Sequence, residues 1–170
     1  PKRSPDLLRV ALVLLHSSLE DFLRNVLLWK LNVLKPQEYL EQIPIYGVGS
    51  SDQRKTKFHL AELAKLSGST IDDIIESSIE DSLSRLSFNN IEDIIANLKY
   101  INIKCDDEIK ALFPSINEMI LRRHKIVHEA DRDFRFGGNV NKPITHIDIN
   151  MVIAYKRDVD NFVNKLRVKL

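Results

Sequence analysis

The sequence predicts an all-α protein, a bundle of five to six helices, on three observations. Apolar side chains recur at helical spacing through nearly every long segment, no alternating apolar run is long enough to force a strand, and 5 Gly and 6 Pro leave little linker material. An apolar share of 44% against 29% charged residues is globular rather than disordered. At 170 residues the chain fits one domain, residues 1–170, with one core that also has to carry the function.

The first helix is expected from Pro5, with Ser4 as N-cap, to about Leu34, where Lys35-Pro36 ends it. Leu8, Leu12, Leu15, Leu19, Phe22 and Val26 follow the 3.6-residue period, and flanking leucines broaden the stripe, so this helix packs on several sides. A helical turn at Tyr39–Gln42 and a breaker-rich loop over residues 43–50 come next. A second helix is expected from about Asp52, past Phe58, Leu60 and Leu63, to a stop at Ser67-Gly68. Ser69 or Thr70 caps a third, with Asp72 and Asp73 favourable in its first turn and Ile71 to Leu86 supplying its apolar face. Asn89 or Asn90 caps a fourth from Ile91 to about Tyr100, followed by a connector over residues 101–105. The fifth begins near Asp106, kinks around Phe113-Pro114 and resumes from Ser115 to Ala130. A polar loop then leads to a last helix from about Asp148 to Leu166, with Val152, Tyr155, Val159, Phe162 and Leu166 on one face.

Charge and cysteine content narrow the function classes. With 25 basic and 24 acidic residues the net charge is +1, so no overall positive field marks a nucleic-acid coat protein, and any RNA partner has to be argued from local chemistry. The single cysteine, Cys105, excludes an internal disulfide and a thiolate zinc site and suits a reducing, cytoplasmic setting. The most apolar stretch holds Arg9, Glu20, Asp21, Arg24 and Lys30, too much charge for a membrane span. The opening Pro-Lys-Arg has no signal-peptide pattern, and its missing methionine suggests a trimmed start.

The chemistry concentrates in Arg123-His124-Lys125-Ile126-Val127-His128. On a helical wheel Ile109, Phe113, Ile116, Ile120 and Val127 share a stripe that Arg123 and His124 interrupt, with His128 at its margin. Ionisable groups there cost desolvation unless they are paired or face an accessible groove, and a functional site is one reason to accept that cost. An imidazole can move a proton near neutral pH, and a guanidinium can hold charge developing on phosphate oxygens. Together they suit cleavage of RNA by its own 2′-hydroxyl, which needs no metal or other cofactor, spares DNA, and leaves 2′,3′-cyclic phosphate and 5′-hydroxyl ends.

Arg123-His124-x-x-x-His128 resembles the Arg-(Asn/Asp/His)-x-x-x-His motif of HEPN domains, helical ribonucleases of toxin-antitoxin, anti-phage and RNA-processing systems. The segment Leu12 to Arg24 looks like the opening helix of the subgroup associated with RNA ligases and anti-phage proteins. The resemblance implies a HEPN-like bundle and a homodimer in which two motif helices face one RNA cleft, with an antitoxin protein as a further partner. It implies catalytic roles for Arg123 and His128 and a supporting role for His124, with Glu20 or His16 holding Arg123. Arg122, Lys125, Arg132 and Arg135, interleaved with Phe134 and Phe136, are expected to bind RNA.

Other readings of the same residues stay open at this point. Arg123 and His128 could cap the helix end against Asp131 or Glu129. His124 and His128 are four apart, a zinc-chelating spacing, but no glutamate between them follows the protease arrangement and no metal is expected. The basic aromatic loop could simply be pinned to the bundle by its phenylalanines. The alternative function is a non-catalytic helical module that binds a partner protein or nucleotide on the same surface.

Overall fold

The computed structural model describes residues 5–48, 60–132 and 144–170. Over these the secondary structure is α-helical, apart from one isolated antiparallel bridge between Arg132 and Ile144. The helices are α1 (Pro5–Leu34), α2 (Gln37–Leu40), α3 (Leu60–Ala64), α4 (Ile71–Ser84), α5 (Ile91–Tyr100), α6 (Asp107–Lys110), α7 (Phe113–Glu129) and α8 (Ile149–Arg167). The all-α class expected from the sequence is what the chain adopts.

Local chemistry accounts for the ends. α1 stops where expected: Lys35 turns left-handed at φ 44° and donates its N–H back to the Leu31 carbonyl at 2.8 Å, and Pro36 cannot continue the ladder. The Ser4 cap and the expected start of the second helix, Asp52 and Phe58 included, lie outside the described residues. α3 covers its later part, and Gly68, at φ 89°, supplies the left-handed residue beyond it. Thr70 rather than Ser69 caps α4, accepting from Asp73 N–H at 3.1 Å while the Asp73 carboxylate accepts from Thr70 N–H at 2.8 Å. Leu86 falls beyond the end of that helix. Asn90 caps α5 through Asp93 N–H at 2.7 Å, and Asp148 caps α8 through Met151 N–H at 3.0 Å.

One expectation needs correcting. The break near Pro114 comes before Phe113 rather than after Pro114, so α6 is a single turn and the proline sits inside the first turn of α7. In a first turn the missing N–H costs nothing, because that group has no intrahelical partner anyway.

The chain divides into two compact units: Pro1–Leu23, Phe88–Lys99 and Ile103–Leu170 form one, Arg24–Ser87 and Tyr100–Asn102 the other. In the first, Leu12 and Leu19 of α1, Ile94 and Leu98 of α5, Ile116 and Met119 of α7 and Phe162 of α8 are buried, and the Phe113 and Phe162 rings meet at 6.2 Å. In the second, Leu27 and Leu31 of α1 and Ile79 and Leu83 of α4 are buried, and Tyr39 meets Tyr100 edge-on at 4.9 Å. This unit also holds an apolar cavity of about 300 Å³ lined by Leu40, Ile43, Leu66, Ile74 and Ile75 among others. Among the described residues no helix is long and apolar enough to cross a membrane.

Candidate active site

α7 changes character along its length. Phe113, Ile116, Met119 and Ile120 are buried in the core, and the next turn replaces that face by Arg123, which is half-buried. His124, Lys125 and His128 are exposed on the same C-terminal stretch. Their four-residue spacing stacks the His124 and His128 rings one above the other, centroids 4.5 Å apart and planes inclined by 41°. Among the described residues nothing hydrogen-bonds to the Arg123 guanidinium, although its Nε is shielded from water. A guanidinium with no hydrogen-bond partner among the described residues, on the same helix turn as two exposed imidazoles, offers groups that can take an anionic oxygen and exchange protons. Among the described residues no group of three His, Cys, Asp or Glu is placed to hold a metal ion. Val127 departs from its expected place in the core: it is 49% exposed, so the apolar stripe of α7 outruns the surface available to cover it.

The helix ends in an unusual way. Ala130 and Asp131 are both left-handed, at φ 49° and 56°, a conformation that costs about 1–3 kcal/mol at each non-glycine position. Asp131 N–H reaches back to the Lys125 carbonyl at 3.0 Å, and its own carbonyl accepts from Thr145 N–H at 2.7 Å. The Asp131 side chain is fully buried; its Oδ2 accepts from Arg9 Nε at 2.7 Å and from Arg122 Nη2 at 2.9 Å. Arg9 also donates to the Thr145 carbonyl at 3.0 Å, and Arg122 to the carbonyls of Thr145 at 3.0 Å and His146 at 2.9 Å. Burial of a carboxylate is tolerable here because two guanidiniums meet it.

The other expected residues fall on both sides of this picture. Arg122, expected at the RNA, has a side chain only 11% exposed and turned onto Asp131. Glu20 Oε1 accepts from Phe88 N–H at 3.0 Å, and His16 Nε2 lies 3.3 Å from the Phe88 carbonyl. The two hold the backbone that enters α5 instead of Arg123, because a buried N–H and C=O there need partners. Asp131, weighed as a cap for Arg123 or His128, binds neither of them. Lys125 and Arg132 are exposed; Arg135, Phe134 and Phe136 lie outside the described residues. Arg9 was missed as a site residue; the available signal was a charged residue in an otherwise apolar helix with an Asp just beyond the motif. On α8 the buried Tyr155 lies near the exposed carboxylate of Glu118 on α7. Burial first, and the Glu118 charge second, push this phenol up to about 12.

Compared with known proteins, residues 1–170 match a family model described as RiboL-PSP-HEPN. Neither the curated proteins nor the solved structures gave a match.

Proposed function

The chain belongs to the RiboL-PSP-HEPN family, and from that premise we propose that it is an endoribonuclease that needs no metal and cuts RNA through the 2′-hydroxyl. The observation that carries this reading is the pair of exposed, stacked rings of His124 and His128 on the helix turn that also carries Arg123, whose buried Nε makes no hydrogen bond among the described residues. Histidine takes the proton from the 2′-hydroxyl, the oxygen attacks phosphorus, and the bond from phosphorus to the 5′-oxygen breaks as that oxygen gains a proton. The products are a 2′,3′-cyclic phosphate and a 5′-hydroxyl. Arg123 holds the charge on the phosphate oxygens, His128 moves protons, and His124 assists it. Lys125, Arg132 and Arg135 draw the RNA backbone, while Arg122 and Glu20 act as scaffold.

The proposed working form is a homodimer with the two motif helices on one cleft. Leu121 and Val127, on the same turns as the histidines, are 54% and 49% exposed and suit burial by a second copy. The proposed setting is the cytoplasm, with its lone thiol Cys105 reduced, in toxin-antitoxin or anti-phage defence, where an antitoxin protein would cover the same cleft.

The test is incubation with RNA in excess EDTA, with 3′ ends analysed for cyclic phosphate. His128→Ala should lower cleavage by about 10²–10⁴-fold and Arg123→Ala by about 10²–10³-fold. Full activity in both variants overturns the reading, and RNA bound without turnover by the wild type would mark a non-catalytic module instead.

A further inference from the structure

We infer that Asp131 is a positioning residue for His128 and Arg123. By holding Arg9 and Arg122 on one buried carboxylate oxygen, it locks the left-handed stop that ends the motif helix. The inference rests on the ribonuclease reading for its functional meaning and on the geometry for its substance.

The stop is imposed on the chain rather than preferred by it. Alanine is the strongest helix former, and Glu129-Ala130 would by itself prolong α7, yet Ala130 and Asp131 both turn left-handed. Strained backbone of this kind persists only where its surroundings over-determine it. Here those surroundings converge on one residue: its N–H is held by Lys125, its C=O by Thr145, and its carboxylate by Arg9 from α1 and Arg122 from α7.

Each of these bonds bears on the site. Asp131 N–H closes on the carbonyl of Lys125, within the last turn that presents His124 and His128. Arg122 adjoins Arg123, so fixing Arg122 fixes the rotation of the helix and the direction, about 100° round, in which Arg123 leaves it. Among the described residues the buried Asp131 Oδ1 atom has no hydrogen-bond partner, and Arg9 and Arg122 both bond to Oδ2. The bond from Arg9 spans 122 positions of sequence and ties the stop to the first helix.

Asp131→Asn tests this, since asparagine keeps the size and tolerates left-handed backbone but carries no charge. The readouts are the ring resonances of His124 and His128 by NMR and the cleavage kinetics on an RNA oligonucleotide with a single-stranded loop. Both are taken at a temperature where circular dichroism shows the variant fully folded. The expected result is displaced ring resonances and a kcat lowered about tenfold to a hundredfold, with KM held within about threefold. Adding Ala130→Gly, which takes the left-handed conformation freely, should restore several-fold of the lost kcat. If Asp131→Asn does not fold, Arg9→Met carries the test, because it leaves the Asp131–Arg122 bond and should displace the same resonances with a smaller loss of kcat. Folded Asp131→Asn or Arg9→Met with unmoved resonances and wild-type kcat overturns the inference. If the wild type cuts no RNA, the ribonuclease reading falls, and the resonances alone decide whether Asp131 positions the two rings.

Discussion

Tyr155 shows how burial and charge act together on a single group. Its side chain is buried, and ionisation would bury a negative charge and set it against that of the nearby Glu118 carboxylate, which is why the phenol is pushed up from 10.0 to about 12. Between these two values the unfolded chain has lost its proton and the folded chain keeps it, so stability is intact below about 10 and fades as pH rises toward about 12. Phenolate absorbance should therefore contain a step centred near 12 that Tyr155→Phe removes; an unchanged titration would contradict the assignment. The same scale shows what sequence can report about a site. That Arg123, His124 and His128 share one helix end was legible because they lie in one short helical stretch. The roles of Glu20 and Arg122 were not, since each is set by a partner far along the chain or past a bend: Phe88 N–H for one, Asp131 and two carbonyls for the other.

Element ends separate local from non-local control. Thr70, Asn90 and Asp148 cap their helices by bonds to a residue three positions on, and such caps are readable because donor and acceptor lie in the same few residues. At Pro114 sequence alone was ambiguous: proline forbids a helix interior but suits a first turn, so it marks a break without saying on which side of it the break lies. Capping also has a measurable worth. Thr70→Ala removes the acceptor for Asp73 N–H and half of the reciprocal box, and should cost about 1 kcal/mol, seen as a lower urea midpoint at unchanged slope. Thr70→Ser should retain most of that stability. If alanine and serine unfold alike, the box does not stabilise α4.

For the molecule as a whole, the informative misfit is Val127. Helical spacing puts it on the core stripe with Ile116 and Ile120, yet it is half-exposed while they are buried. Periodicity reports which residues share a face; it cannot report how far along that face packing partners extend. An apolar face that outruns its own core, on the turn that carries His124 and His128, is what a second copy would cover in the proposed dimer. Val127→Glu should then leave helix content intact and weaken association on the order of a hundredfold, because a carboxylate would be buried without a partner. Analytical ultracentrifugation reads the association, and cleavage should fail in parallel, since a composite site is lost with the dimer. The wild type supplies the control: its specific activity should fall on dilution as protomers separate. A Val127→Glu protein that still dimerises and still cuts RNA would place the interface elsewhere and leave this exposed edge of α7 without a role in assembly.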